Sequence, residues 1–356
     1  MNLTSEQQRM ADAIRDLIHG DTGKQTLVCH GVAGTGKTLT LTTIAHEFPE
    51  AILCAYTGKA AAVLREKSGL PAKTVHSLFY KLVDKGIDPK TKRRVLTFQR
   101  IHADGGLVGK VILLDECSMI DRKTAQDLLN SGAKIVAVGD PGQLPPVHGA
   151  PFFERADIVL TEIHRQALES PILRQAHNVR EHGFYEADGE DFRVVRKVTD
   201  QELRAADAIL CWRNVTRHKL NARMRDLLAF DLPYPMAGER VLCLKNAHQF
   251  GIFNGVTYEL AQPFEPGDTV ISLLIDGNEV TIPGVVFVRP GGSLDDYDDD
   301  SFASAFDYGY ALTVHKSQGS EFDRVVLFDE NHKHERQKWV YTGLTRAAKQ
   351  IIVQGR

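Results

Sequence analysis

The chain has 356 residues, 43% of them apolar and 25% charged, with a formal net charge of −3. That length accommodates two or three compact domains, and the slight acidity excludes a protein that coats nucleic acid by bulk attraction while leaving room for a narrow strand-binding groove. No apolar run approaches a membrane span and the first residues lack a signal peptide's pattern; Cys29, Cys54, Cys117, Cys211 and Cys243 contain no Cys-x-x-Cys pair, so neither a zinc site nor a disulfide framework is expected and a reducing interior fits.

Thr4 caps a first predicted helix reaching about Ile18, with Met10, Ile14 and Leu17 on one face. Strands are predicted over 26–29, 51–55, 111–114, 134–138 and 158–160, alternating with helical segments, which is the pattern of a parallel sheet covered on both faces. Between Phe79 and Lys110 the pattern weakens into a basic stretch over 85–100 with a turn at Asp88-Pro89-Lys90-Thr91, read as a small hairpin inserted at about 80–109. A second α/β region starts near Ser170, with strands over 192–195 and 208–211 and a helix around 215–228. Short strands over 241–244, 257–260, 269–274, 280–282 and 285–288 suggest a small β-barrel insertion, followed by an acidic run from Asp295 to Asp300 read as a solvated connector. The α/β pattern resumes over 310–314, 324–328 and 350–353.

The chemistry starts at Gly31-Val32-Ala33-Gly34-Thr35-Gly36-Lys37-Thr38, the pattern of a phosphate-binding loop set between an apolar strand and a helical segment. Gly34, Thr35 and Gly36 let backbone N–H groups curl around a phosphate at a helix N-terminus, Lys37 neutralises the outer phosphates, and the Thr38 hydroxyl is placed to ligate Mg²⁺. A plain glycine-rich turn would need neither the lysine nor the threonine. The strand over 111–114 ends in Asp115 and Glu116: the first suits Mg²⁺, the second suits positioning or deprotonating the attacking water. Gly139-Asp140-Pro141-Gly142 reads as a turn, but Gln143 before Leu144-Pro145-Pro146 reads as an amide that senses the outer phosphate.

In order and spacing these motifs resemble superfamily 1 helicases, in the RecD-like and phage Dda-like group that moves 5′ to 3′. Leu3-Thr4-Ser5-Glu6-Gln7 resembles the glutamine motif that reads adenine, although Thr4-x-x-Gln7 equally fits a helix capping box. Tyr56-Thr57-Gly58-Lys59-Ala60-Ala61 is similar to a strand-binding loop with Tyr56 where proline is usual, and Thr74-Val75-His76-Ser77-Leu78 to the next DNA-contacting segment. Ile163-His164-Arg165-Gln166 resembles the motif that places an arginine near the γ-phosphate. The run from Leu312 to Phe322, with Thr313, His315, Lys316, Ser317 and Glu321, resembles the second domain's DNA-contacting motif, and Tyr341-Thr342-Gly343-Leu344-Thr345-Arg346-Ala347 the last motif, with Arg346 as an arginine finger. Read alone, His76 and His315 are ordinary half-buried histidines, and Arg165 and Arg346 surface ion-pair partners.

The resemblance implies an α/β fold: two RecA-like parallel-sheet domains of the P-loop NTPase type, with a small hairpin insertion in the first and an SH3-like β-barrel insertion in the second. It divides the chain into 1–168, with the hairpin at 80–109, then 169–237 with 307–356, and 238–306. The implied activity is ATP-dependent 5′–3′ DNA unwinding with ATP and Mg²⁺, on single-stranded DNA and forked duplex. Glu321 joins the nucleotide-binding set, and Phe98, beside Lys92, Arg93 and Arg94, is the expected pin at the fork. A monomer, a bacterial or phage-infected cytoplasm, no membrane, and a single-strand-binding protein or replisome component as protein partner complete the expectation. A translocase that strips proteins without separating strands, and a nucleotide-gated nucleic-acid-binding module, stay open as alternatives.

Overall fold

The apolar run before the glycine-rich loop forms a strand, β1 (Thr26–Gly31), buried over most of its length. The computed structural model describes residues 3–20, 22–87, 94–102, 105–146, 149–164, 169–247, 250–275, 277–288, 292, 302, 304–330 and 335–355, by backbone alone over 81–100. In chain order the first part supplies α1 (Ser5–His19), β1, α2 (Lys37–Glu47), β2 (Ile52–Ala55), α3 (Gly58–Ser68), β3 (Ala72–Thr74), α4 (Val75–Phe79), β4 (Tyr80–Ile87), β5 (Arg94–Arg100), β6 (Val111–Asp115), α5 (Arg122–Asn130), β7 (Lys134–Gly139) and β8 (Ile158–Leu160). The second part continues with α6 (Pro171–His182), β9 (Phe192–Val195), α7 (Asp200–Ala205), β10 (Ala208–Cys211), α8 (Asn214–Leu227), β11 (Arg240–Cys243), β12 (Thr257–Leu260), β13 (Val270–Ile275), β14 (Asn278–Pro283), β15 (Val285–Phe287), β16 (Ser304–Tyr308), β17 (Ala311–Thr313), β18 (Phe322–Phe328), α9 (Arg336–Leu344) and β19 (Ala347–Gln354).

The first sheet runs β3-β2-β6-β7-β1-β8, with every neighbour parallel. Its strands are apolar on both faces because helices cover both. Alternate residues of one strand therefore enter different cores: Leu27 and Cys29 meet Leu113, Val136 and Val138 beneath α1 and α2, whereas Val28 joins Ile112, Leu114, Ile135 and Ala137 beneath α4 and α5. The second sheet, β17-β10-β18-β19-β9, is likewise parallel. Leu144, from the first lobe, is 1% exposed and packs in the second lobe's core with Leu312, Trp339 and Tyr341.

The third sheet, β14-β13-β12-β11-β16-β15, is mixed: its pairings are antiparallel except β15 with β16. Where the short strands suggested a barrel, the pairing recorded among the described residues is that of a six-stranded sheet. Its strand β16 continues to Tyr308, past the expected domain boundary at 306. The inserted hairpin is present as β4 paired antiparallel with β5, while its predicted turn at 88–91 and the acidic run at 295–300 lie outside the described residues. Among the described residues no helix is long and apolar enough to cross a membrane.

Candidate nucleotide and strand-binding site

The phosphate loop is shaped by two glycines with left-handed backbone, Gly34 at φ +86° and Gly36 at φ +75°. A Cβ on Gly36 would fall 2.0 Å from Gln7 Nε2, so it would displace that amide as well as strain a left-handed φ. Lys37 and Thr38 open α2, whose first N–H groups have no intrahelical partner and receive no side-chain cap from Gly36. The Lys37 ammonium donates to Val32 O at 2.9 Å, closing the loop on itself. Thr38 Oγ1 donates to Asp115 Oδ2 at 2.9 Å, and Asp115 Oδ1 accepts the N–H of Glu116 at 2.9 Å. Glu116 adopts φ +55°, a conformation a non-glycine residue rarely holds, at the end of β6. Burial raises the pKa of both carboxyls; Asp115 raises Glu116 further, and Arg346 and Lys37 oppose that rise.

Arg346 lies between α9 and β19 and is 5% exposed. Its guanidinium donates to Thr342 O at 3.0 Å, Ser320 O at 3.1 Å and Thr345 Oγ1 at 3.1 Å, which fixes it as a buried cation at the lobe boundary. Thr38, Asp115, Glu116, Glu321 and Arg346 line one cavity of about 160 Å³. Glu321 is paired there with Lys67 at 2.9 Å. Gln143 follows β7; its N–H donates to Asp140 O at 3.2 Å, and its buried Oε1 has no hydrogen-bond partner among the described residues. Arg165 lies outside the described residues.

Gln7 serves the capping geometry that was left open: its Oε1 accepts from Thr4 N at 3.0 Å and its N–H donates to Thr4 Oγ1 at 3.4 Å. The same side chain also reaches the phosphate loop, with Nε2 donating to Thr35 O at 3.1 Å and lying 2.6 Å from His164 Nε2. Sequence reasoning missed His164, and it missed a bridge between the lobes at the loop itself. The Tyr341 hydroxyl donates to buried Asp140 Oδ2 at 2.5 Å and accepts from Ala33 N at 3.0 Å.

A second cavity, of about 390 Å³, gathers Thr57, Lys59, Thr74, His76, His315 and Lys316 from both lobes. Tyr56, at the position usually held by proline, lines it as well, and the third sheet's loops add Asn246 and Asn254, which carried no sequence signal. His76 stacks on Tyr80, ring centroids 4.9 Å apart, and the Tyr80 hydroxyl donates to Asp127 at 2.9 Å. Thr57 and Thr74 also act as N-caps, accepting from Ala60 N and Ser77 N at 3.1 Å each. Thr313 and Ser317 stand apart from this wall: Thr313 caps the helical turn that carries His315 and Lys316, and the buried Ser317 hydroxyl donates to Val314 O at 2.9 Å. Neither is among the residues that line this cavity. The side chain of Phe98 lies outside the described residues. Burial lowers the Lys59 amine to a pKa of about 8, with Arg346 adding to the effect, and the amine sits 4.2 Å above the Phe322 ring. Burial and Arg217 bring Lys316 to about 8 as well, and burial also lowers His315.

A family model described as an AAA domain matches residues 2–193, and one described as a UvrD-like helicase C-terminal domain matches residues 308–353. The chain belongs to this AAA-domain family, and its sequence is similar to those of two DNA helicases. The ATP-dependent RecD2 DNA helicase of Deinococcus radiodurans is 30% identical over 94% of the chain and 47% of that protein. The ATP-dependent DNA helicase dda of Enterobacteria phage T4 is 32% identical over 44% of the chain and 38% of that protein. The chain thus spans less than half the length of these curated relatives. A crystal structure of Bacteroides Pif1 bound to ssDNA superposes with a TM-score of 0.64 at 21% identity, covering 100% of this chain and 92% of that one, which establishes a shared fold.

Proposed function

We propose that the chain is an ATP-dependent DNA helicase that moves 5′ to 3′ on single-stranded DNA and separates forked duplex. The observation that carries this reading is the shared cleft: Thr38, Asp115 and Glu116 of one lobe and Arg346 of the other line a single cavity, and the strand cavity is built from the same two lobes. The residues present fit Mg-ATP. Gly34 and Gly36 hold the left-handed backbone that a phosphate-wrapping loop needs, and Thr38 and Asp115 supply paired hard oxygen donors. Bound there, Mg²⁺ would neutralise charge on the phosphates. Lys37 would exchange its bond to Val32 for the outer phosphates, Glu116 would orient and deprotonate the attacking water, and Arg346 would offset charge that grows in the transition state. Gln143 is assigned to sensing the outer phosphate, its amide NH₂ donating to the phosphate oxygens, and Arg165 to the same charge clamp.

In this reading Gln7 and Glu321 border the nucleotide, and Thr57, Lys59, Thr74, His76, His315 and Lys316 grip phosphates and stacked bases with little sequence preference. Closure of the cleft changes the spacing between the first lobe's grip and the second's, which converts hydrolysis into stepping. We group 1–168 and 169–237 with 307–356 as RecA-like domains, the hairpin at 80–109 with Phe98 as the fork pin, and the mixed sheet as the SH3-like insertion. The test is strand separation with Mg-ATP on forks carrying a 5′ or a 3′ single-stranded tail. Unwinding of the 5′-tailed fork alone is expected; unwinding of neither, or of the 3′-tailed fork alone, contradicts the proposal.

A further inference from the structure

The phosphate-sensing segment and the strand cavity are joined by one side chain. Gln318 follows the turn that carries His315 and Lys316, is 3% exposed, and lines the strand cavity. Its Nε2 donates to Leu144 O at 2.8 Å, while its Oε1 is buried with no hydrogen-bond partner among the described residues. Leu144 immediately follows Gln143. The N–H of Leu144 donates to Thr342 Oγ1 at 2.9 Å, so the second lobe holds both backbone polar groups of this first-lobe residue. One anchor, Gln318, stands beside the strand; the other, Thr342, lies on the segment that presents Arg346, whose guanidinium donates back to Thr342 O. The neighbouring Gly319 is pressed against the end of α3: a Cβ there would lie 2.7 Å from Ala60 Cβ and 3.2 Å from Thr57 Oγ1. A displacement of Thr57 by a strand therefore reaches the backbone beside Gln318.

We propose that Gln318 is the positioning residue that couples strand occupancy to phosphate sensing, setting Gln143 in the nucleotide cleft through the carbonyl of Leu144. The inference rests on the nucleotide and strand sites assigned under Proposed function. A filled cavity confines the Gln318 side chain to the rotamer that holds Leu144, and Gln143 is then fixed where it meets the outer phosphate. An unfilled cavity leaves Gln318 with a half-satisfied amide and a weaker hold. A bond that merely joined the lobes would affect turnover equally with and without a strand; a coupling bond affects the ratio.

The experiment is steady-state ATP hydrolysis against increasing concentrations of a thymidine oligonucleotide, with oligonucleotide affinity read in parallel by fluorescence anisotropy. Gln318→Met keeps the length of the side chain and removes its amide. It is expected to lower the stimulation ratio, strand-saturated over strand-free turnover, by about tenfold while strand affinity changes by less than about threefold. Thr342→Val, at the other anchor of Leu144, is expected to lower the ratio in the same direction, and a double variant with Gln143→Ala to show a loss smaller than the product of the single losses. If Gln318→Met fails to fold, as judged by its thermal transition, Gln318→Leu, which likewise removes the amide without adding charge, is measured in its place with the same expectation. A wild-type ratio in the Gln318 variant, a loss accounted for by weaker strand binding, or independent losses with Gln143→Ala would overturn the inference. Wild-type protein whose hydrolysis ignores the oligonucleotide would instead overturn the underlying motor reading.

Discussion

Lys59 and Lys316 enter the strand cavity with amines brought to a pKa of about 8, chiefly by burial. In the free protein both are charged below that pH and neutral well above it, whereas a bound phosphate favours the charged form. Strand binding above pH 8 must therefore take up protons. Affinity for single-stranded DNA is expected to be flat near pH 7 and to fall between pH 8 and 10 by up to roughly tenfold per pH unit per lysine. Anisotropy titrations at constant ionic strength check this, and a flat profile to pH 10 would remove the two amines from the phosphate contacts. Lys37→Ala is expected to abolish hydrolysis while weak strand binding remains, since Lys37 stands outside the strand cavity; turnover equal to wild type would refute its role. Lys37, Thr38, Asp115 and Glu116 were singled out in the sequence because phosphate chemistry favours those residue types at those spacings, and the last three line one cavity, whereas Lys59 and Lys316 came from the family resemblance. Tyr341 and Asp140 were not legible: their bond spans 201 positions and leaves no local pattern.

At the scale of elements, most strands of the two parallel sheets were legible from apolar runs, because burial on both faces demands them. β3 escaped since Ala72-Lys73-Thr74 is short and carries an exposed lysine at its centre. β16 escaped since it contains Asp307, whose burial depends on a distant partner, Arg217, at 2.6 Å. The element on which the nucleotide reading depends most is the start of α2. Gly36→Ala would place a Cβ into the Gln7 amide at a left-handed φ. It is expected to destabilise the fold by at least about 1 kcal/mol in urea unfolding and to abolish nucleotide binding. A variant that binds nucleotide normally would show that the loop does not need this close approach.

For the whole molecule, the consequential feature is how the lobes meet. Tyr341 reaches Ala33 of the phosphate loop, Leu144 is packed in the opposite core, and Arg346 shares a cavity with Thr38, Asp115 and Glu116. In the proposed reading, these contacts would pass changes at the phosphates to the second lobe. Asn246 and Asn254 show what the sequence withheld: loops of the third sheet add to the cavity between the lobes through tertiary placement alone. The central claim is that one nucleotide is held by both lobes. It is tested most directly by Arg346→Ala, measuring ATP affinity and single-turnover hydrolysis on the same protein. The account predicts a loss of turnover of roughly 10²- to 10³-fold with ATP affinity within about threefold of wild type; unchanged turnover with weakened ATP binding would contradict it.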